Sequence, residues 1–231
     1  MIKQFTFNHY EVNCYVVSDD RVPTEGEKRQ CAIVDPACEA SFEDSQLLQY
    51  IEAEGLTVRH ILLTHAHVDH IAGLRQCCEH FGLPVTMHKD GRKLLRQAEA
   101  YGSIMGFAVD DMSDLDVVEL NDGDVIELGD LYVECRYVPG HCPGSMCFVV
   151  TTHSSVSPYR AASSPTPAVI TGDALFHFSI GRTDLPGGSY PLLIEKIKTR
   201  IMTLPDDYTV LPGHGIASSI GKERKYNSFL A

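Results

Sequence analysis

Apolar and polar positions alternate in short runs at the start of the chain, which predicts strands over residues 2–7, 11–18 and 31–34. Cys14, Tyr15, Val16 and Val17 lie in the second run, and the turn formers Asp19, Asp20 and Pro23 to Gly26 precede the third, so the opening is expected to be antiparallel. The period then lengthens. Ser41 can cap a helix carrying Leu47, Leu48 and Ile51, with Gly55 near its end. A strand over 58–63 is followed by a helix from about Val68 to His80, with Ile71, Leu74, Cys78 and Phe81 as its apolar stripe and Gly82 as its stop. A short strand at 85–87 completes an alternation of strand and helix typical of an α/β layer. Residues 91–101 look helical, whereas 102–107 are apolar but glycine-broken, which suits a loop or lid beside a pocket, or a plain surface helix-turn.

Strand patterning returns at Val117. Residues 124–128 and 131–135 flank Gly129-Asp130 as a hairpin, and further strands are expected at 146–151, 169–171 and 208–211. Residues 153–168, rich in Ser, Pro and Ala, read as a flexible loop. Ser189 and Pro191 open a helix with Leu193, Ile197, Ile201 and Leu204 on one face, and a short helix closes the chain. Two β-rich halves packed face to face, with helices outside and functional side chains along one edge, account for this order.

The candidate chemistry sits where strands end. His65, His67, Asp69 and His70 follow the apolar run Ile61-Leu62-Leu63, and such side chains are rarely buried unless paired or metal-bound. In an extended backbone His65 and His67 share a face and can chelate one ion. If a helix starts near Val68, Asp69 and His70 leave its first turn in another direction and suit a second ion. The same logic recurs at Pro139-Gly140-His141, at Gly172-Asp173 and at Pro212-Gly213-His214, each an ionisable residue beside glycine after an apolar strand. His177 is assigned to orienting a loop; His9, His60, His80, His88 and His153 show no partner pattern and are assigned surface or structural roles.

Composition narrows the classes. With 231 residues, 44% of them hydrophobic, and no Pro/Gly/Ser-rich linker that divides the chain into halves able to bury separate cores, one domain over 1–231 is expected. The formal net charge of −12 argues against a nucleic-acid partner, which needs a basic surface. No run approaches membrane length, and the first residues alternate like a strand and lack the apolar core of a signal peptide, so a cytoplasmic protein with no membrane partner is expected. The eight cysteines read as reduced thiols: Cys14, Cys31, Cys135 and Cys147 lie within strand-like runs as small hydrophobes. No pairing of cysteines gives a structural zinc knuckle.

His65-x-His67-x-Asp69-His70, with His141, Asp173 and His214, resembles the metallo-β-lactamase superfamily across nearly the whole chain. The resemblance implies an α/β fold, a four-layer αββα sandwich of two mixed sheets, and two divalent metal ions. His65, His67 and His141 would hold the first; Asp69, His70 and His214 the second; Asp173 would bridge them. Zinc is the first expectation, with iron or manganese also suited to these donors. Thr171 to Phe176, Ser179 to Gly188 and Gly221 to Leu230 are similar to the short, single-domain glyoxalase II-like (hydroxyacylglutathione hydrolase-like) hydrolases. That implies cleavage of a small-molecule thioester such as S-lactoylglutathione by a metal-bridging hydroxide, with Asp69, between His67 and His70, orienting the hydroxide. A thiolate leaves without obligatory protonation, so no separate general acid is required.

Two features depart from that group: Cys142 follows His141 where threonine is usual, and the extra helical region with which longer glyoxalase II enzymes hold glutathione is missing. Arg182 can meet an anionic part of the substrate or pair internally with Asp184. Lys222, Arg224 and Lys225 can hold a carboxylate or phosphate tail, or form a solvated helix face. An iron-dependent persulfide dioxygenase shares much of the ligand set and a similar Gly-Arg-Thr-Asp segment. Lactone and phosphodiester hydrolysis use the same metals, and a non-enzymatic metal-binding module is the remaining class.

Overall fold

The structure, a computed structural model, describes residues 1–19, 28–152 and 167–231. They form two compact units, residues 1–119 and 120–231. The first unit is built on a six-stranded sheet in the order β1 (Ile2–Phe7), β2 (Val12–Ser18), β3 (Arg29–Val34), β4 (Leu56–Leu62), β5 (Val85–His88) and β6 (Val117–Leu120), the last running up to the boundary. As expected, the opening is antiparallel, with Phe5 opposite Cys14 and Val16 opposite Ile33. From β3 to β5 the pairing is parallel, with the crossover from β3 to β4 made by α1 (Ser41–Ala53). The register sets Val34 beside Leu62, so the residues just beyond β3 and β4 emerge side by side. Phe7, Val16, Ile33, Ile61, Leu74 and Met87 belong to this unit's core. Each such buried side chain contributes about 1.5–3 kcal/mol.

Two expectations are corrected in this unit, and one open alternative is decided. Ser41 does not cap α1: Ala40 occupies the cap position, and the Glu43 carboxylate accepts from the backbone N–H of Glu39 (2.7 Å) and Ala40 (3.1 Å). The single helix from Val68 is two pieces, a tight 3₁₀ turn over Val68–Ile71 and α2 (Leu74–Phe81). They separate because the Gly73 N–H donates to Pro36 O (3.0 Å) instead of continuing the helical ladder. Of the two readings for residues 102–107, the helix-turn holds and the loop or lid does not: after α3 (Arg92–Leu95), residues 102–105 end α4 (Ala98–Met105). Gly102 is there for close packing, since a Cβ would lie 3.4 Å from Val68 Cγ2 and 3.1 Å from Phe107 O.

The second unit carries another six-stranded mixed sheet, formed by β7 (Val125–Leu128), β8 (Leu131–Tyr137), β9 (Met146–Thr152), β10 (Ala168–Gly172), β13 (Thr209–Pro212) and β14 (Ser218–Ser219); its order is β14-β13-β10-β9-β8-β7. Gly129-Asp130 turns the β7–β8 hairpin as expected. β8 and β10 are each antiparallel to β9, and β10 is parallel to β13, so β8, β10 and β13 run in one direction. The residues that follow all three therefore leave from the same end of the sheet. A small hairpin of β11 (Leu175–Phe176) and β12 (Ser179–Ile180), together with β14, had no counterpart in the sequence pattern. Ser189 and Pro191 open α5 (Tyr190–Lys196), and the chain widens by one residue over Ile197–Ile201 before Met202 N–H donates back to Ile197 O (2.9 Å). Leu193, Ile197, Ile201 and Leu204 bury the predicted face against Val149, Val169 and Val210. The terminal helix is α6 (Ile220–Tyr226). The loop expected near 153–168 lies outside the described residues except Pro167 and Ala168, the latter already in β10. All eight cysteines are buried and none is in a disulfide.

Candidate metal centre

In the first unit the histidine cluster follows β4, and Asp35 follows β3 beside it. The Asp35 carboxylate, 1% exposed, accepts from Thr64 N–H (2.7 Å), from the Thr64 hydroxyl (2.6 Å) and from His70 Nδ1 (2.9 Å). Each bond has a consequence for protonation. Because the Asp35 carboxylate only accepts, His70 Nδ1 donates to it, and Nε2 is the ring nitrogen left for a ligand. The Thr64 hydroxyl has spent its proton on Asp35, so at 3.1 Å it accepts from His65 Nδ1, and His65 too presents Nε2 as acceptor. The rings gather closely: His65 and His67 have centroids 4.7 Å apart, and His65 and His70 4.1 Å. His70 Nε2 stands 3.7 Å from Asp69 Oδ2. The turn over Val68–Ile71, closed by His70 N–H to His67 O (3.0 Å), is what brings Asp69 and His70 back toward the strand end.

In the second unit His141, Asp173 and His214 follow the three codirectional strands. His141 Nε2 lies 3.7 Å, and His214 Nε2 3.6 Å, from the same oxygen, Asp173 Oδ2. His141 Nδ1 is 2.8 Å from the carbonyl oxygen of Arg182, which only accepts, so Nδ1 carries the proton and Nε2 faces Asp173 as acceptor. The Gly213 N–H donates to Gly172 O (2.8 Å), tying the residue before His214 to the residue before Asp173. Gly181 passes flush over this group: a Cβ there would fall 1.7 Å from Asp173 O and 3.2 Å from His141 Nδ1.

The donor set fits cations. Nε2-to-oxygen spacings of 3.6–3.7 Å exceed hydrogen-bond length and approach the roughly 3.3 Å between two ligands that each sit about 2.0–2.1 Å from one ion at a tetrahedral angle. Imidazoles whose Nδ1 is held by a carboxylate, a hydroxyl or a carbonyl are oriented as metal-binding histidines are. His65, His67, Asp69 and His70 are thus gathered in one unit, and His141, Asp173 and His214 in the other.

The remaining predicted residues are placed differently. The Arg182 guanidinium, 61% exposed, makes a two-pronged pair with Asp184 (both bonds 2.8 Å), which holds the Asp184 carboxyl down at about 2. Its backbone carbonyl, not its charge, is what supports His141. Arg224 is spent structurally on Met202 O (2.8 Å), Leu204 O (2.9 Å) and Asp206. Lys225 lies 4.9 Å over the Tyr226 ring, and Lys222 is an exposed residue whose N–H takes the Ser219 cap on α6 (3.3 Å). Cys142 is fully buried, 3.3 Å from Ser145 Oγ. His177 stacks on Phe178 at the β11–β12 turn, His9 pairs with Glu39 (2.7 Å), and burial, then Arg59, depresses the His60 pKa. Asp35 and Thr64 had been overlooked. Asp35 carries the signal used elsewhere, an acid directly after an apolar strand, but Pro36 rather than glycine follows it.

Comparison with known proteins agrees with this geometry. Residues 9–214 match the family model of the metallo-beta-lactamase superfamily. The chain is 32% identical to the hydroxyacylglutathione hydrolase GloC of Haemophilus influenzae over 228 residues, covering 96% of this chain and 93% of the relative. It is 31% identical over 205 residues to the mitochondrial persulfide dioxygenase ETHE1 of Homo sapiens, covering 87% of this chain and 66% of that one. Among solved structures, TTHA1623 in a di-iron-bound form superimposes with a TM-score of 0.78 at 30% identity, over 99% of this chain and all of that one. A match across most of the sequence and a shared architecture lead to one conclusion: the chain belongs to the metallo-β-lactamase superfamily and has its α/β fold of two mixed sheets.

Proposed function

We propose that the protein is a binuclear metallohydrolase that cleaves a small-molecule thioester of the S-lactoylglutathione type. The observation that carries this reading is the set of acceptor nitrogens: His65, His70 and His141 each have Nδ1 committed to a neighbour and Nε2 turned to the ligand side. His65, His67 and His141 would hold one ion, and Asp69, His70 and His214 the other, with Asp173 shared. When bound, divalent cations supply hydroxide at neutral pH and a Lewis acid for the acyl oxygen.

The chain's own residues do the rest. Asp35 holds the His70 proton in place, so that ring keeps one tautomer through turnover. Asp69 accepts a hydrogen bond from the attacking water and sets its orientation. The Arg182 guanidinium pairs with a substrate carboxylate by exchanging it for Asp184, a swap that an exposed pair permits at little cost. Similarity to GloC supports the substrate class. Protein loaded with zinc, manganese or iron should release free thiol from S-lactoylglutathione; failure with all three metals refutes the assignment.

A second reading has its own support in the similarity to the persulfide dioxygenase. It predicts oxygen uptake with glutathione persulfide by the iron-loaded protein and no thiol release from the thioester. Thiol release and oxygen uptake measured on one sample whose metal content is known by mass spectrometry separate the two.

A further inference from the structure

Asn8 sits in the turn between β1 and β2 with φ +54°, a left-handed conformation that asparagine tolerates better than most residues. Its side-chain amide donates to two carbonyls, Asp69 O (2.8 Å) and Ala37 O (2.9 Å). Its Oδ1 accepts from Tyr10 N–H (2.9 Å), and its own N–H donates to Glu43 Oε1 (2.7 Å). Glu43 is buried and its other oxygen clamps the start of α1. One asparagine therefore joins the β1–β2 turn, the segment after Asp35, the first turn of α1 and the peptide that links Asp69 to His70.

We propose that Asn8 is a positioning residue for the Asp69–His70 pair, and that it sets the affinity of the second metal position without touching the first. The inference rests on the binuclear reading above. Its physical basis is selectivity of contact. The Asp69 carbonyl belongs to the peptide unit whose plane fixes the relative directions of the Asp69 and His70 side chains. His70 is restrained independently by Asp35 and by its N–H to His67 O, whereas the Asp69 peptide oxygen is held from the far side by Asn8. His65 and His67 lie upstream in extended chain and receive no bond from Asn8. The same peptide is also held by its His70 N–H to His67 O, so without the amide it keeps one of its two restraints and tilts about that bond within the short 3₁₀ turn, and the carboxylate loses its aim.

Cobalt(II) titration of the metal-free full chain, followed by visible absorbance, reads the two positions separately, and thermal melting of the same metal-free samples reads the fold. Two variants are needed. Asn8→Gly keeps the positive φ and the backbone bond to Glu43 while deleting the amide. Asn8→Asp also keeps the acceptor for Tyr10 N–H but cannot donate to either carbonyl. Wild type should take two equivalents. In both variants the second equivalent should bind about 10–100-fold more weakly, the range for loss of a group that orients a ligand, with the first within about threefold of wild type. Unchanged binding of both equivalents, or equal weakening of both, overturns the role of Asn8. A single equivalent in wild type overturns the binuclear reading itself, and the proposal for Asn8 falls with it.

Discussion

The two units hold their candidate ligands by different means. In the first, orientation comes through side chains: a buried carboxylate, Asp35, grips Thr64 and His70, and Thr64 passes the restraint on to His65. In the second it comes through the main chain: His141 is set by the carbonyl of Arg182, Gly181 leaves no room above Asp173, and His214 follows a peptide bonded to Gly172. A side-chain support is fixed by residue identity and can be removed by one substitution. A main-chain support survives substitution of the residue that provides it and fails only when the path of the backbone changes.

That contrast can be broken at several points. The largest effect is expected at Asp173, the carboxylate proposed to be shared by both metal positions. Asp173→Asn should lower turnover about 10³-fold, the loss of several kcal/mol of charge stabilisation, with metal content falling in parallel. Next, Gly181→Ala should cost about 10²-fold in turnover and about 1–3 kcal/mol in stability, because the added methyl overlaps the Asp173 carbonyl. Asp35→Asn should reduce metal affinity about 10–100-fold in a competition titration, since an amide cannot accept from all three of its present donors. The analogous change in the second unit should do far less. Arg182→Ala keeps the carbonyl, so kcat and metal content should stay near wild type, while KM for a carboxylate-bearing thioester rises about tenfold. If metal content drops as well, the main-chain account of His141 is wrong.

The smallest effect should be common to both units. Burial pushes the thiols of Cys31 and Cys135 up to about 12 and that of Cys78 up to about 11. These pKa values are raised on folding, so their contribution to stability is complete below the ordinary thiol value of about 8.5 and is lost as pH rises from there toward 11–12. Urea midpoints should therefore be independent of these thiols up to about pH 8.5 and decline above it. A midpoint that rises over that range contradicts the assignment.

The same division explains what could be read in advance. The ligand residues were legible because an ionisable side chain after an apolar strand is chemically conspicuous, and the strands themselves were marked by alternation. Asp35 gives that signal too, but Pro36 follows it where His141, Asp173 and His214 adjoin glycine, and it stands alone rather than in a cluster. The carbonyl of Arg182 was invisible in principle: every residue has one, and the charge of the guanidinium drew the reading toward substrate. Glycine left two readings open over residues 102–107, a loop or lid and a surface helix-turn, and the helical one holds: Gly102 lies inside α4 as a close contact for Val68. Gly73, within an uninterrupted apolar period, interrupts the helix because its N–H is taken by Pro36 O, a partner distant in sequence.

The shared direction of β8, β10 and β13 has a practical corollary. The Gly129-Asp130 turn enters β8 at the end opposite the one from which His141 departs, a strand of 7 residues away. At roughly 3.3 Å per residue that is about 23 Å, so a fluorophore or affinity handle grafted into this turn would report on or immobilise the protein from its remote side.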